Sequence, residues 1–301
     1  MSYKIITGAN DNYILTLLNF ISYHTSIGIK LENIIIYDLG FNKENLENVK
    51  KMLSEKTLIK RLNYNEYPEH VDLEKYNGIS CSYAFKPIII YNESIINNNI
   101  PIIWLDSACK ITLIQLNQMI QTINQNGFYC PIGNDKKTIE TIELNYPQTL
   151  NLLGITRYQH FNELQTRLAC ICGVNYNIPI GKKILDDWYK YSLDKDIIVP
   201  IGSSRNNHRQ DQTVLSALMF LYEKENGILF EKSTFNISCW NKLDKSIIDN
   251  NYNKYILIQK YKNIRLAIIH ENSIDRAIIT YLNRKQMSFK DFNKYFYIIK
   301  E

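Results

Sequence analysis

The residue types that can do chemistry fall into four short stretches. In the first, the apolar run Ile102-Ile-Trp-Leu105 stops abruptly at Asp106 and Ser107. A buried strand that ends on one carboxylate delivers an acid to the edge of a sheet, and in open α/β sheets ligands bind beyond the carboxyl ends of the strands. Oxygen ligands of this kind suit a hard cation such as Mg²⁺ or Mn²⁺, and the plain alternative is an Asp that caps the next helix. The second stretch is His208-Arg209-Gln210-Asp211-Gln212, directly before an apolar helix, where one Asp would suffice as a cap. The third is Thr7-Gly8-Ala9-Asn10-Asp11-Asn12-Tyr13, where a strand end meets a helix start and free amides favour an anion or a polar base. It contains no phosphate loop and no Gly-x-Gly-x-x-Gly pattern. The fourth is His270, after the apolar Leu266-Ala-Ile-Ile, at a strand end where a neutral imidazole can ligate a metal.

The elements that must position these groups follow from hydrophobic period. Strand over 3–7, helix over 13–26, strand over 33–37 ending at Asp38, helix over 42–54 and strand over 57–62 make a βαβαβ run, hence a parallel sheet with right-handed crossovers. A polar, Tyr-rich loop over 63–82 is longer than a connector needs. A helix over 83–97, the Asp106 strand, a helix over 112–124 and a strand over 127–131 follow. Beyond lie helices near 146–153, 180–192 and 213–223 and strands over 167–174, 255–259 and 265–269, and the tail then reads as helical segments. The expected architecture is α/β, a Rossmann-like, mostly parallel sheet flanked by helices. It is expected as a single domain, with a nucleotide-binding half over 1–126 and an acceptor-binding half and C-terminal tail over 127–301.

At 301 residues, 45% hydrophobic and 22% charged, the chain can bury a sizeable core. Its net charge of +5 is spread among interspersed Lys, Asp and Glu, so no basic block tracks a nucleic-acid backbone. The six cysteines have no Cys-x-x-Cys spacing and read as reduced core residues. The N-terminus enters a strand directly, and no apolar run approaches the roughly 18 residues of a membrane span. A soluble, cytoplasmic protein is expected.

Taken in order, these stretches resemble the GT-A nucleotide-sugar-dependent glycosyltransferases, and are similar at the start to the family-8 type (the glycogenin and bacterial galactosyltransferase group). The residues that carry this are Asp11-Asn12-Tyr13 after the small-residue turn. Tyr83-Ala-Phe-Lys-Pro-Ile-Ile-Ile before Ile-Ile-Trp-Leu-Asp-Ser, Trp188, Ile198-Val-Pro200 and His208 to Gln212 are similar to a related GT-A-like set. The likeness spans about residues 3 to 222, and weakly His270.

The resemblance implies that Thr7, Gly8, Ala9, Asn12 and Tyr13 hold the nucleoside, Asp38 the base or ribose, and that Lys86 faces the diphosphate. Asp106, with Ser107 beside it, corresponds to the first acid of an Asp-x-Asp metal motif whose second acid is here Ala108. Mn²⁺ or Mg²⁺ would then rest on Asp106, His270 and the diphosphate, or else Lys86 and Arg209 would stabilise the leaving group. Asp211 is implied as the acceptor-side acid, with His208 and Gln212 around it. The implied activity is transfer of a hexose from a nucleoside diphosphate sugar to a hydroxyl of a glycan or glycoprotein. The rival, prompted by Ala108, is a catalytically inactive nucleotide-sugar-binding protein.

Overall fold

The computed structural model describes residues 2–53, 57–73, 75, 82–132, 144–227, 230, 238–239, 253–259, 264–271 and 296–300, the last four segments as backbone only. By internal contacts the chain divides into two compact units, Met1–Trp240 and Asn241–Glu301. Residue 126, the expected seam between halves, falls inside the first.

The first unit begins with β1 (Lys4–Ala9), α1 (Ile14–Ser26), β2 (Ile34–Asp38), α2 (Lys43–Met52) and β3 (Leu58–Arg61). Then come α3 (Phe85–Ile96), β4 (Ile102–Leu105), β5 (Cys109–Lys110), α4 (Leu113–Asn126), β6 (Phe128–Tyr129) and α5 (Pro147–Leu152). It closes with β7 (Ile171–Val174), α6 (Pro179–Ser192), α7 (Lys195–Ile198), α8 (Asp211–Asn226) and β8 (Ser238–Cys239). Six strands form one sheet in the order β3-β2-β1-β4-β7-β6. The first four are parallel, and β7 runs antiparallel to β4 and β6. The mostly parallel α/β sheet is thus the expected one. Its order reverses between β1 and β4, and the chain leaves the carboxyl ends of those two strands in opposite directions, the point at which open α/β sheets bind their ligands.

Local chemistry sets the boundaries. Gly8 and Ala9, expected in a turn, continue β1 because they pair with Tyr37 and Asp38. The turn follows as Asp11–Tyr13, with the Asn10 side chain accepting from Asn12 N. Asn42 caps α2 through Asn45 N, and Thr112 with Gln115 forms a capping box on α4. Asp11 accepts from Asn42 N and from Asn45 Nδ2, both at 2.9 Å, so it ties β1's exit to the start of α2.

Alternation along the strands assigns the two faces. Ile6, Ile35, Tyr37, Trp104, Cys172 and Val174 share one buried cluster with Phe85, Ile88 and Ile89 of α3, Ile184, Leu185 and Trp188 of α6, and Val214 and Leu218 of α8. Gly173 faces the other way, where a Cβ would meet Ile123 of α4. The core is therefore layered helix, sheet, helix, and α3, α6 and α8 share the face on which Trp104 lies.

Gly127 and Gly181 mark the tightest crossing, between the end of α4 and the start of α6. A Cβ on Gly181 would lie 2.2 Å from the Gly127 carbonyl oxygen, a backbone atom without freedom to yield. We expect Gly181→Ala to cost about 2–3 kcal/mol in urea unfolding. Gly227→Ala is the control, since Gly227 has positive φ but open space around it, and should cost about 1 kcal/mol through backbone conformation alone.

The second unit has an antiparallel sheet in the order β10-β9-β11, from β9 (Asn253–Gln259), β10 (Ile264–Glu271) and β11 (Phe296–Lys300). The first two are the expected strands. The third corrects the helical reading at 296–300, because Phe296-Tyr-Ile-Ile pairs with β9 rather than coiling. The helical segments expected over 272–295 lie outside the described residues.

Candidate active site: two acids around a buried lysine

Trp104 and Asp106 lie two apart on β4 and its extension, so their side chains leave the same face. The indole Nε1 donates to Asp106 Oδ1 at 2.6 Å. Lys86, the second residue of α3, reaches the same oxygen at 3.2 Å. Asp211, the first residue of α8, brings Oδ2 to 3.2 Å from the same ammonium. The third contact of Lys86 Nζ is donation to the Ala169 carbonyl at 3.2 Å. Three residues remote in the chain thus meet at one ammonium, which donates to the Ala169 carbonyl and lies between the two carboxylates.

Exposure separates the two acids. Asp106 keeps 36% of its side-chain surface exposed, against 6% for Asp211 and 5% for Lys86. Burial opposes the charge on Lys86, but Asp106 and then Asp211 outweigh it, and its pKa lies well above the ordinary value. Burial also raises Asp211, to about 6, with Lys86 pulling down and Asp106 pushing up. Asp211 Oδ2 faces the ammonium without a directed hydrogen bond.

Around this centre the backbone is held in uncommon conformations. Tyr83 before α3 and Gln210 before α8 both have positive φ, 51° and 44°, without being glycine. Strain of this kind persists only where packing over-determines it. The Trp188 indole Nε1 donates to the Asp211 carbonyl at 3.0 Å, so α6 fixes the start of α8. The Tyr83 ring lies 5.8 Å from Lys86 Nζ and 5.5 Å from the Arg205 guanidinium, and Arg205 Nη1 donates to its hydroxyl at 3.0 Å.

The remaining expected residues divide by position. Ser107 is buried and shares a 2.9 Å hydrogen bond with Thr16, which also donates to the Tyr13 carbonyl, so the Tyr13 turn is joined to the end of β4. Thr7 is buried with its hydroxyl unpartnered, Gly8 packs against Leu39, and Ala9 is buried opposite Asp38. Asn12 is exposed and Tyr13 half-buried. Asp38 is turned inward, its Oδ1 accepting from Gly40 N and Phe41 N at 2.9 and 2.7 Å. Arg209 and Gln212 are half-buried at the start of α8.

His208 does not join the cluster through its ring. It is fully buried, with Nε2 on the Ile198 carbonyl at 3.0 Å and Nδ1 accepting from Tyr146 N at 3.4 Å. Both nitrogens are used in the neutral form, so it serves as a brace for its loop. The His270 backbone pairs with Lys254 in the second unit, and its side chain lies outside the described residues. Tyr83 and Arg205 are additions that sequence spacing had not singled out as site residues.

His208 and the buried His24 are both held low, to about 4, chiefly by burial, with a backbone hydrogen bond opposing. In the unfolded chain they protonate near 6.5, so the stability they contribute is present above that pH and is lost as pH falls toward 4. Asp211 has the opposite sign between about 4 and 6. With these two histidines and His70, which burial also holds low, set against one acid, urea unfolding at pH 4.5 should show a loss of a few kcal/mol relative to pH 7.

Among the described residues, those around Asp106 do not make up a divalent-cation site, and the side chain of His270, the other expected ligand, lies outside them. Hard cations take several oxygen ligands, yet the residue two beyond Asp106 is Ala108, and Asp106 Oδ1 already holds an indole N–H and an ammonium. Among the described residues no group of three His, Cys, Asp or Glu is placed to hold a metal. An open basin of about 490 Å³ is lined by Asn98, Tyr176, Asn177, Pro179, Lys182, Lys183 and Asp186, and by none of the cluster's residues. No helix among the described residues is long and apolar enough to cross a membrane.

Fold and site together define an α/β protein with an acid–lysine–acid cluster at the carboxyl edge of a mostly parallel sheet. No family model and no curated protein matches the chain. Among solved structures it is similar to the galactosyltransferase LgtC in complex with donor and acceptor sugar analogs, at 16% identity over 71% of this chain and 70% of that one, TM-score 0.41. It is similar to mouse xyloside xylosyltransferase 1, at 12% identity over 77% of this chain and 85% of that one, TM-score 0.43. It is also similar to the bifunctional glycosyltransferase WbbM, at 12% identity over 72% of this chain and 37% of that one, TM-score 0.44.

Proposed function

We propose that the chain is a glycosyltransferase of the GT-A kind that moves a hexose from a nucleoside diphosphate sugar to a hydroxyl of a glycan or glycoprotein. The observation that carries this reading is that Asp106 and Asp211, remote in sequence, meet at Lys86 beyond the carboxyl end of β4, where the strand order reverses. The order of the sequence motifs agrees with it. In this reading the Tyr13 turn takes the nucleoside and Asp106 receives sugar hydroxyls. Lys86 is a positioning residue, because its buried ammonium sits between the two acids and donates to the Ala169 carbonyl. Asp211 takes up the proton of the acceptor hydroxyl as that oxygen bonds to the anomeric carbon and the bond to the diphosphate breaks. The indole of Trp104 fixes the angle of Asp106.

The test is hydrolysis and transfer with uridine and guanosine diphosphate hexoses, using wild type and Asp106→Ala. Wild type should release the nucleoside diphosphate and the variant should lose most of that rate. Undiminished turnover by Asp106→Ala would remove Asp106 from the site. The second reading, a binding protein without turnover, is favoured by Ala108, and it predicts calorimetric binding of the same sugars with no product.

A further inference from the structure

We infer that the chain binds the diphosphate of its donor without a divalent cation, and that the guanidinium of Arg205, assisted by Arg209, meets the diphosphate charge. The inference rests on the nucleotide-sugar reading above and adds to it where the counter-charge comes from. Two carboxylates around one ammonium leave the cluster with an excess of negative charge, and the Lys86 ammonium is already paired with both of them. A diphosphate beside this cluster therefore needs another cation. A dication at Asp106 would stand close to the Lys86 ammonium, with Ala108 where a second acid would offset that repulsion.

The loop over 200–209 supplies the alternative. Arg205 is exposed, and Nη1 donates to the Tyr83 hydroxyl at 3.0 Å. The same ring lies beside Lys86, so the guanidinium is held two contacts from the cluster. Its other N–H groups have no partner among the described residues, and their planar fork matches two phosphate oxygens. The loop is braced from within, by Ser204 N donating to Asn207 Oδ1 at 2.6 Å and His208 N to the Ser204 carbonyl at 2.8 Å. Arg209 follows the brace immediately, next to Gln210 and Asp211. A rigid loop carrying two guanidinium groups beside an exposed carboxylate can do the work of charge neutralisation that a bound dication would otherwise do.

The experiment is calorimetry on the full chain with uridine diphosphate, guanosine diphosphate and the matching nucleosides, each in EDTA and in Mn²⁺. The expected result is that a nucleoside diphosphate binds in EDTA with a Kd within about threefold of that in Mn²⁺. Arg205→Ala should weaken it tenfold or more, Arg205→Lys should recover part, and affinity for the bare nucleoside should stay unchanged. Arg205 is exposed, so thermal unfolding of the variants should match wild type. Binding that appears only with Mn²⁺, or that is indifferent to both Arg205→Ala and Arg209→Ala, overturns the inference and leaves the proposed function standing. If neither nucleoside diphosphate binds in either condition, both fall together.

Discussion

Lys86→Met is expected to cost about 3–5 kcal/mol of folding stability, the range for removing one partner of a buried ion pair. Methionine nearly preserves the volume of the side chain, so the loss isolates charge. Without the ammonium, the buried Asp211 carboxylate faces Asp106 with no counter-ion, and the Ala169 carbonyl loses its donor. The double variant Lys86→Met/Asp211→Asn should regain more than half of the loss, because the uncompensated buried charge is gone. Its turnover should stay absent. Urea unfolding of the two single variants, the double variant and wild type closes the cycle. A loss below about 1 kcal/mol for Lys86→Met would mean that the bridge does not hold these elements together.

Asp211→Asn should lower kcat by 10²- to 10⁴-fold, the range for losing a positioned general base. Asparagine keeps the shape of the carboxylate, and the Trp188 bond is made to the backbone carbonyl, so the fold of this region should survive. Affinity for the nucleoside diphosphate should change little, which separates loss of chemistry from loss of binding. The pH dependence has a definite sign. Burial lifts Asp211 to about 6, and a base must be ionised to work, so wild-type kcat should fall as pH drops through about 6. The residual activity of Asp211→Asn should lack that acid limb. A variant that retains kcat within a few-fold of wild type would take Asp211 out of the reaction.

How far the sequence reaches is visible in particular elements. The alternating strands and helices up to Asn126 were legible because each carries its own period and caps, and most of their ends fall within two residues of expectation. Asp106 and Asp211 were singled out by a strand-end and a helix-start motif, whereas Lys86, at which they meet, was singled out only by the family resemblance. That Lys86 would also donate to the Ala169 carbonyl was not legible, because that carbonyl arrives from the loop before β7. Nor was the pairing of Tyr83 with Arg205, 122 residues apart. The Trp104–Asp106 bond had a signal, two residues on one strand face, that was available to be used. His208 is polar by type, and only its enclosure between Ile198 and Tyr146 reveals a brace. The strand at Phe296–Lys300 depends on a distant partner, β9, so its own residues did not fix its form.

The carbonyl of Asp211 is gripped by an indole from one helix while its carboxylate faces an ammonium from another. An acid anchored at both ends of its own residue has little room to swing, so in the proposed reaction the reacting groups would come to it. In the proposed reading, adaptation to different acceptors therefore falls to exposed positions such as Ile201, whose side chain can change without disturbing the anchored centre or the arginine set against the diphosphate.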